Sequence, residues 1–327
     1  LIKVKTMDKK INIAICLSTE PRFWENAANS ISDFINLNKD KCQIDVFYHL
    51  WDDVTCQYPA KPRDVKLTDD PIIRNVDPAT LQHHFKPTVG ICESKDNLNP
   101  HIDEAWEYVQ SLRHKHTITD ASILKYLLQC TPEELRASNM SIKDAFYAAI
   151  KKTSRMKFSQ IISMCKSLIL MSDYAKENNI YYDVIIRSRT DIHINSTKFG
   201  KIQTLVKRDR LSRYIYFTEL AVRTPDDGSP NSCTPYAVFD FFVSSSNIIN
   251  KDLFKDYTKR IIELLFLVKK NCQFEQRSIH NCVPLFLKQH RREIVLNGKI
   301  SPFSWSFKKS KAAPAPSINH EKVLNIW

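Results

Sequence analysis

Glycine is scarce: there are four in 327 residues, at positions 90, 200, 228 and 298, and no two are close together. A Gly-x-Gly-x-x-Gly dinucleotide loop and a Walker-type phosphate loop both need clustered glycines, so both are excluded. A nucleotide site in this chain has to be built from side chains, helped by a metal. The nine cysteines include no Cys-x-x-Cys pair, and several, such as Cys16 and Cys165, sit inside apolar patterns. Free buried thiols in a reducing compartment account for them better than disulfides or zinc ligands. Long apolar runs are missing as well: the run at 261–268 is far too short to span a membrane. Residues 1–6 lack the apolar core of a signal peptide, and Met7 is a candidate start. The expected compartment is the cytoplasm.

What is present is material for a core. Hydrophobic residues make up 43% of the chain, enough for one large α/β domain or two smaller ones. The formal charge of +12 fits an anionic partner. Nucleic acid, an anionic sugar donor and mere solubility are all compatible with it.

Residues 11–17 alternate little and read as a buried first strand, followed by the polar turn Ser18-Thr19-Glu20-Pro21-Arg22 and a helix from about 23 to 35. A second strand over 43–51 closes on Asp52 and Asp53. Strand, helix, strand at this spacing implies a parallel crossover. Ligands of such sheets sit beyond the carboxyl ends of the strands, which places Ser18, Glu20, Arg22, His49 and Asp52 on one rim. Residues 55–100, rich in Pro and Asp, read as loop with one or two short strands, one at 88–92. The spacing predicts helices over 102–113, 122–130 and 132–150, a mostly helical insert around 100–155. His83 and His84 read as surface histidines.

A long helix over 156–178 has apolar residues recurring at three and four, from Phe158 to Ile169. Its narrower polar stripe, Gln160, Ser163 and Ser167 with Lys166 beside it, fits either close approach to a ligand or tight helix packing. The strand that follows, Val184-Ile185-Ile186, opens onto Arg187, Arg189, Asp191 and His193 at alternate positions, which share one side of a strand. Two guanidinium groups suit phosphate oxygens, and an Asp with a His can ligate a divalent cation. The plainer reading is a strand end with arginines paired to surface carboxylates. Further on come a strand at 213–217, a long loop over 223–234 and a strand over 236–244. Asp240 lies inside that aromatic strand, where an acid is expensive to bury unless paired or used. Helices are expected within 250–270 and over 274–289, the latter with Glu275 in its first turn. Residues 1–10 read as an extension and 308–327 as a basic, Pro/Ala-containing tail.

Together these pieces resemble a group of viral, phage and bacterial glycosyltransferase-like proteins with a GT-A-type nucleotide-sugar fold. The family has Ser-Gly-Gln-Pro-Arg after its first strand, where this chain has Ser18 to Arg22. Its Val-Phe-x-His-x-Trp strand is similar to Val46–Trp51, and its Ser-Gln helix to Ser159 and Gln160 through Lys166. The Tyr-Asp-x-Val-Ile-Arg-x-Arg-x-Asp segment is similar to Tyr182–Asp191, with a later Asp-x-Phe at Asp240–Phe242 and a Glu opening a late helix at Glu275. The resemblance covers 11–52 and 157–290. Two departures stand out: Thr19-Glu20 replaces Gly-Gln, and Asp191-Ile192-His193 replaces the usual Asp-x-Asp.

The resemblance implies an α/β, GT-A-like (Rossmann-like) fold: a mixed, mainly parallel sheet flanked by helices, in a single domain over 11–307 with the helical insertion. It implies a glycosyltransferase moving a sugar from a nucleoside-diphosphate sugar to an acceptor hydroxyl on a glycan or on DNA carrying a hydroxymethylated base. Asp191 and His193 would hold Mn²⁺ or Mg²⁺. Ser18, Arg22, His49, Gln160, Lys166, Arg187 and Arg189 would line the donor, and Asp240 or Glu275 would act as base. The alternative is a non-catalytic nucleotide-, glycan- or nucleic-acid-binding protein on the same fold.

Overall fold

The computed structural model describes residues 10–22, 24–57, 72–114, 118–128, 130–151, 158–190, 194, 199–209, 211, 215–220, 236–247, 249, 251–263 and 294–295. Its centre is a seven-stranded sheet of β1 (Ile11–Thr19), β2 (Cys42–Trp51), β5 (Val89–Glu93), β6 (Val184–Arg189), β7 (Ile215–Leu220), β8 (Tyr236–Ser244) and β9 (Ile294–Val295). The order across it is β5-β2-β1-β6-β8-β7-β9. β5, β2, β1 and β6 are parallel neighbours, whereas β8 runs antiparallel to both β6 and β7. A mixed, mostly parallel sheet flanked by helices is thus what the apolar runs build. A separate hairpin pairs β3 (Asp53–Gln57) with β4 (Ile72–Asn75).

Both faces of the parallel half are covered, which is why its strands read as continuous apolar runs rather than alternations. Odd residues of β1 (Ile13, Ile15, Leu17) pack with α1 (Trp24–Asn38), α2 (Pro78–Phe85) and α8 (Phe199–Lys207). Even residues Ala14 and Cys16 face α7 (Phe158–Glu177), together with Phe47 and Trp51 of β2. On α7 the side chains of Phe158, Ile161, Ile162, Cys165 and Leu168 are buried. Fully burying one such large apolar side chain contributes about 1.5–3 kcal/mol, so the sheet fixes this helix firmly. Cys16, Cys42, Cys130 and Cys165 are buried free thiols.

The insert is helical: α3 (Asn99–His114), α4 (Asp120–Ser122) continuing as a π-helical stretch at Ile123–Leu128, α5 (Pro132–Ser138) and α6 (Ile142–Lys151). The single helix expected over 132–150 is in fact two. Thr131 caps α5 through a reciprocal box with Glu134, and Asn139 ends it at a left-handed φ of 52°. The loop expected across 55–100 holds a helix, α2. Asp77 caps it by accepting from the Ala79 and Thr80 amides, and Pro78 takes its first turn. α8 was likewise not anticipated. The helix expected over 274–289 and the tail at 308–327 lie outside the described residues. Of the segment 250–270, a 3₁₀ turn at Lys251–Phe254 and a helix over 257–263 are described. Among the described residues no helix is long and apolar enough to cross a membrane.

Candidate functional site

The chain winds outward from β1 in two directions, to β2 and β5 on one side and to β6 on the other. Ligands of open α/β sheets bind beyond the carboxyl ends at such a reversal. The register aligns Ser18 with His49 on β2 and with Arg189 on β6, and Trp51 with Glu93 on β5. Four strand ends therefore meet, and polar side chains collect where they face α7.

The lower layer of this cluster is buried. Arg187, 1% exposed, donates to Ser18 Oγ through Nε at 3.2 Å and Nη2 at 2.9 Å. Ser163 on α7 accepts the Thr19 amide at 2.8 Å and donates to the His49 carbonyl at 2.6 Å. Its oxygen also lies 3.2 Å from His49 Nδ1, while His49 Nε2 sits 2.7 Å from Glu93 Oε1. Serine, histidine and glutamate in a row look like a hydrolase triad. Ser163 is fully buried and already committed to two backbone groups, so it ties helix to strands and is no nucleophile.

The upper layer reaches solvent and is densely charged. Glu93 accepts from His49, from Lys166 and, at 2.9 Å, from Asn97. Burial would raise its pKa, but these hydrogen bonds outweigh burial and hold it at about 2. Burial lowers the pKa of His49, and Lys166 adds to this against the pull of Glu93, so the ring is neutral near pH 7. Lys166 also stands 5.5 Å from the Trp51 ring centroid, a cation–π distance. Glu20 takes Arg22 on one oxygen, with Nε at 2.7 Å, and Lys95 on the other, also at 2.7 Å. Burial would raise its pKa, but Arg22 and Lys95 keep it below the usual carboxylate range. Lys95 lies 3.0 Å from Asp53 Oδ2 as well. Asp53 Oδ1 is buried without a hydrogen-bond partner, and burial raises the pKa of this carboxyl.

The structure thus brings Ser18, Arg22, His49, Gln160, Lys166, Arg187 and Arg189 to one end of the sheet. Ser18, His49 and Arg187 are buried supports. Arg22, Gln160, Lys166 and Arg189 are partly exposed. Ser163 resolves the polar stripe of α7 in favour of helix packing at that position. Asp240 lies in β8, where Phe242 pairs with Arg187 and with Phe217. The next β7 pairing joins Thr218 to Val238, so the backbone of β8 is irregular around position 240. Because β8 is antiparallel to β6, position 240 lies two residues past that pair toward the carboxyl end of β6. Asp191, His193 and Glu275 lie outside the described residues.

Sequence reasoning missed Glu93, Lys95 and Asp53. The strand expected at 88–92 was a sufficient signal, since the carboxyl-end rule applied to it puts Glu93 and Lys95 on the rim.

Among the described residues no group of three or more His, Cys, Asp or Glu side chains is arranged to hold a metal ion. Glu20 and Glu93 are committed to cations. Asp191 with His193 offers one hard oxygen and one imidazole nitrogen, a donor set that suits Mn²⁺ better than Mg²⁺. Comparison of the chain with protein-family models, with curated proteins and with solved structures finds no match.

Proposed function

We propose that this chain is a metal-assisted glycosyltransferase that moves a sugar from a nucleoside-diphosphate donor to an acceptor hydroxyl, on a GT-A-like fold. The supporting observation is the meeting of β1, β6 and β8 at the reversal of the sheet. It puts the Ser18–Arg22 turn, Arg189 and the backbone of Asp240 at one end, with Asp191 following in the chain.

Each residue has a role on this reading. Arg187 and Ser18 fix the end of β1 from below. Arg22, Arg189 and Lys166 supply positive charge for the diphosphate, with Gln160 beside them on α7. Asp191 and His193 would hold Mn²⁺, a Lewis acid that offsets charge on the departing diphosphate. Asp240 takes the proton of the acceptor hydroxyl as the sugar bond forms, and Glu275 orients sugar hydroxyls or shares that task. The net charge of +12 suits DNA with a hydroxymethylated base as acceptor, and a glycan fits the same chemistry.

One observation favours the second reading, a non-catalytic binding protein: Arg22, Lys95 and Lys166 are each paired with a protein carboxylate. Thermal shift with nucleoside diphosphates, with and without Mn²⁺, separates the two. A transferase is stabilised by one of them in a Mn²⁺-dependent way that Asp191→Ala removes, together with donor hydrolysis. Full hydrolysis and transfer by Asp191→Ala would sink the site assignment, and no stabilisation by any nucleotide would favour the binding protein. Salt-sensitive duplex binding then marks a DNA acceptor.

A further inference from the structure

The turn after β1 carries its own anion. Glu20 is 7% exposed, and its two oxygens are divided between Arg22 and Lys95. Lys95 in turn reaches Asp53 at 3.0 Å. This chain of charges closes the gap between the first βα turn, the start of β3 and the 3₁₀ turn after β5, Lys95–Leu98. Taking a carboxylate out of water is costly unless opposite charge and hydrogen bonds offset it. An arginine fork on one oxygen and an ammonium on the other is also how proteins hold a phosphate oxyanion.

We infer that Arg22 and Lys95 form a phosphate-binding position which Glu20 occupies, and that a diphosphate binds there by displacing the Glu20 side chain. The inference rests on the reading of this rim as a donor site and deepens it by adding Lys95 and a competitor. The backbone makes the exchange feasible. The Glu20 carbonyl is pinned by the Arg22 amide at 2.8 Å and by Thr190 Oγ1 at 3.0 Å, so the side chain turns out while the loop stays. The Arg22 side chain is 36% exposed and that of Lys95 11%, so both bases meet solvent already. Glu20→Gln keeps the shape of the side chain and removes its charge, leaving Arg22 without that carboxylate and Lys95 with Asp53 alone, so both cations can take a ligand oxygen.

The test is calorimetric titration of the full chain with sodium pyrophosphate, without metal, sugar or acceptor. Glu20→Gln is expected to bind about tenfold more tightly than wild type, the scale of one close charge pair. The double variant Glu20→Gln/Lys95→Gln loses that gain. An unchanged affinity in Glu20→Gln, or a gain that survives loss of Lys95, overturns the inference. Where circular dichroism shows Glu20→Gln unfolded, Lys95→Gln alone must bind pyrophosphate more weakly than wild type, and equal affinity overturns it. A parallel titration with a nucleoside diphosphate identifies the source: an equal or larger gain assigns the position to a nucleotide, and a gain confined to pyrophosphate assigns it to the free ion. Tighter pyrophosphate binding without sugar transfer keeps this position and discards the transferase. Transfer without the gain does the reverse.

Discussion

Thr19 donates its backbone N–H to Ser163 Oγ at 2.8 Å while holding a φ of 107°. A β-branched residue rarely adopts positive φ, and such strain costs on the order of 1–3 kcal/mol. The bond to α7 is one of the contacts that hold the strained turn in place, and the turn in turn aims Glu20 along the rim. At an ordinary position Ala is more stable than Gly. Here the order reverses, because Ala keeps the Cβ that positive φ disfavours: Thr19→Gly should exceed Thr19→Ala in stability by about 1 kcal/mol. Urea unfolding of the two variants measures this, and Ala at or above Gly would contradict the strain.

His49 and Glu93 make acid sensitivity predictable in sign. The folded pKa of His49 is below its unfolded value of 6.5, so the unfolded chain binds the extra proton first. Stability therefore begins to fall as pH drops through about 6.5. Glu93, held at about 2 against an ordinary 4.5, adds a second loss as pH falls from 4.5 toward 2. The groups acting on the ring are Glu93 and Lys166, and His101 of α3 lies in the same field. His49→Gln should flatten the slope of unfolding free energy between pH 6.5 and 5, and the lower step should shrink but persist, because Lys166 and Asn97 still hold Glu93. An unchanged slope would show that another group carries it.

The strands were legible because each of β1, β2 and β6 is covered on both faces, so that burial writes a continuous apolar run. α7 was legible because one stripe meets the sheet. α2 was hidden by composition, although Asp77-Pro78 spells a cap and a first-turn proline. The break at Asn139 was hidden for the opposite reason, since helical spacing continues across a gap of only three residues, 139–141, of which Asn139 is left-handed. On the rim, side-chain type identified Arg22 and Arg187 as cations near the strand ends. What each touches depends on the pairing of β5 with β2, which no local pattern encodes. Thus Glu20 read from the sequence only as a rim residue in a departure from Gly-Gln, and the fold shows its charge absorbed by Arg22 and Lys95.

Gly90 is the glycine on which this geometry depends. It sits in β5 opposite Tyr48, and a Cβ there would lie 2.5 Å from Tyr48 Cζ and 2.8 Å from Pro87 Cγ. Tyr48 is 2% exposed and its ring packs edge-on against Phe85 at 6.1 Å, so it has little room to yield. Gly90→Ala should cost about 1–3 kcal/mol, the usual penalty for overpacking. Tyr48→Leu in that background should cost less than Tyr48→Leu alone, a coupling read from a double-mutant cycle in urea. Strict additivity would exclude the clash as the cause.

Asp240 and Asp191 should fail in different ways if the proposed chemistry holds. A base for the acceptor hydroxyl acts only as the proton moves, so Asp240→Asn should lower kcat for sugar transfer by about 10²–10⁴. Its Mn²⁺-dependent stabilisation by the nucleoside diphosphate should persist, because the donor does not need that proton acceptor. A metal ligand is required earlier, so Asp191→Ala should lose the Mn²⁺-dependent stabilisation and the transfer together. The antiparallel register of β8 against β6 brings Asp240 toward the carboxyl end of β6, the strand that Asp191 follows in the chain, and on the proposed roles one variant separates binding from turnover and the other does not. Equal loss of nucleotide stabilisation in both variants would make Asp240 part of the donor site. Equal retention, with transfer intact, would remove both from the mechanism.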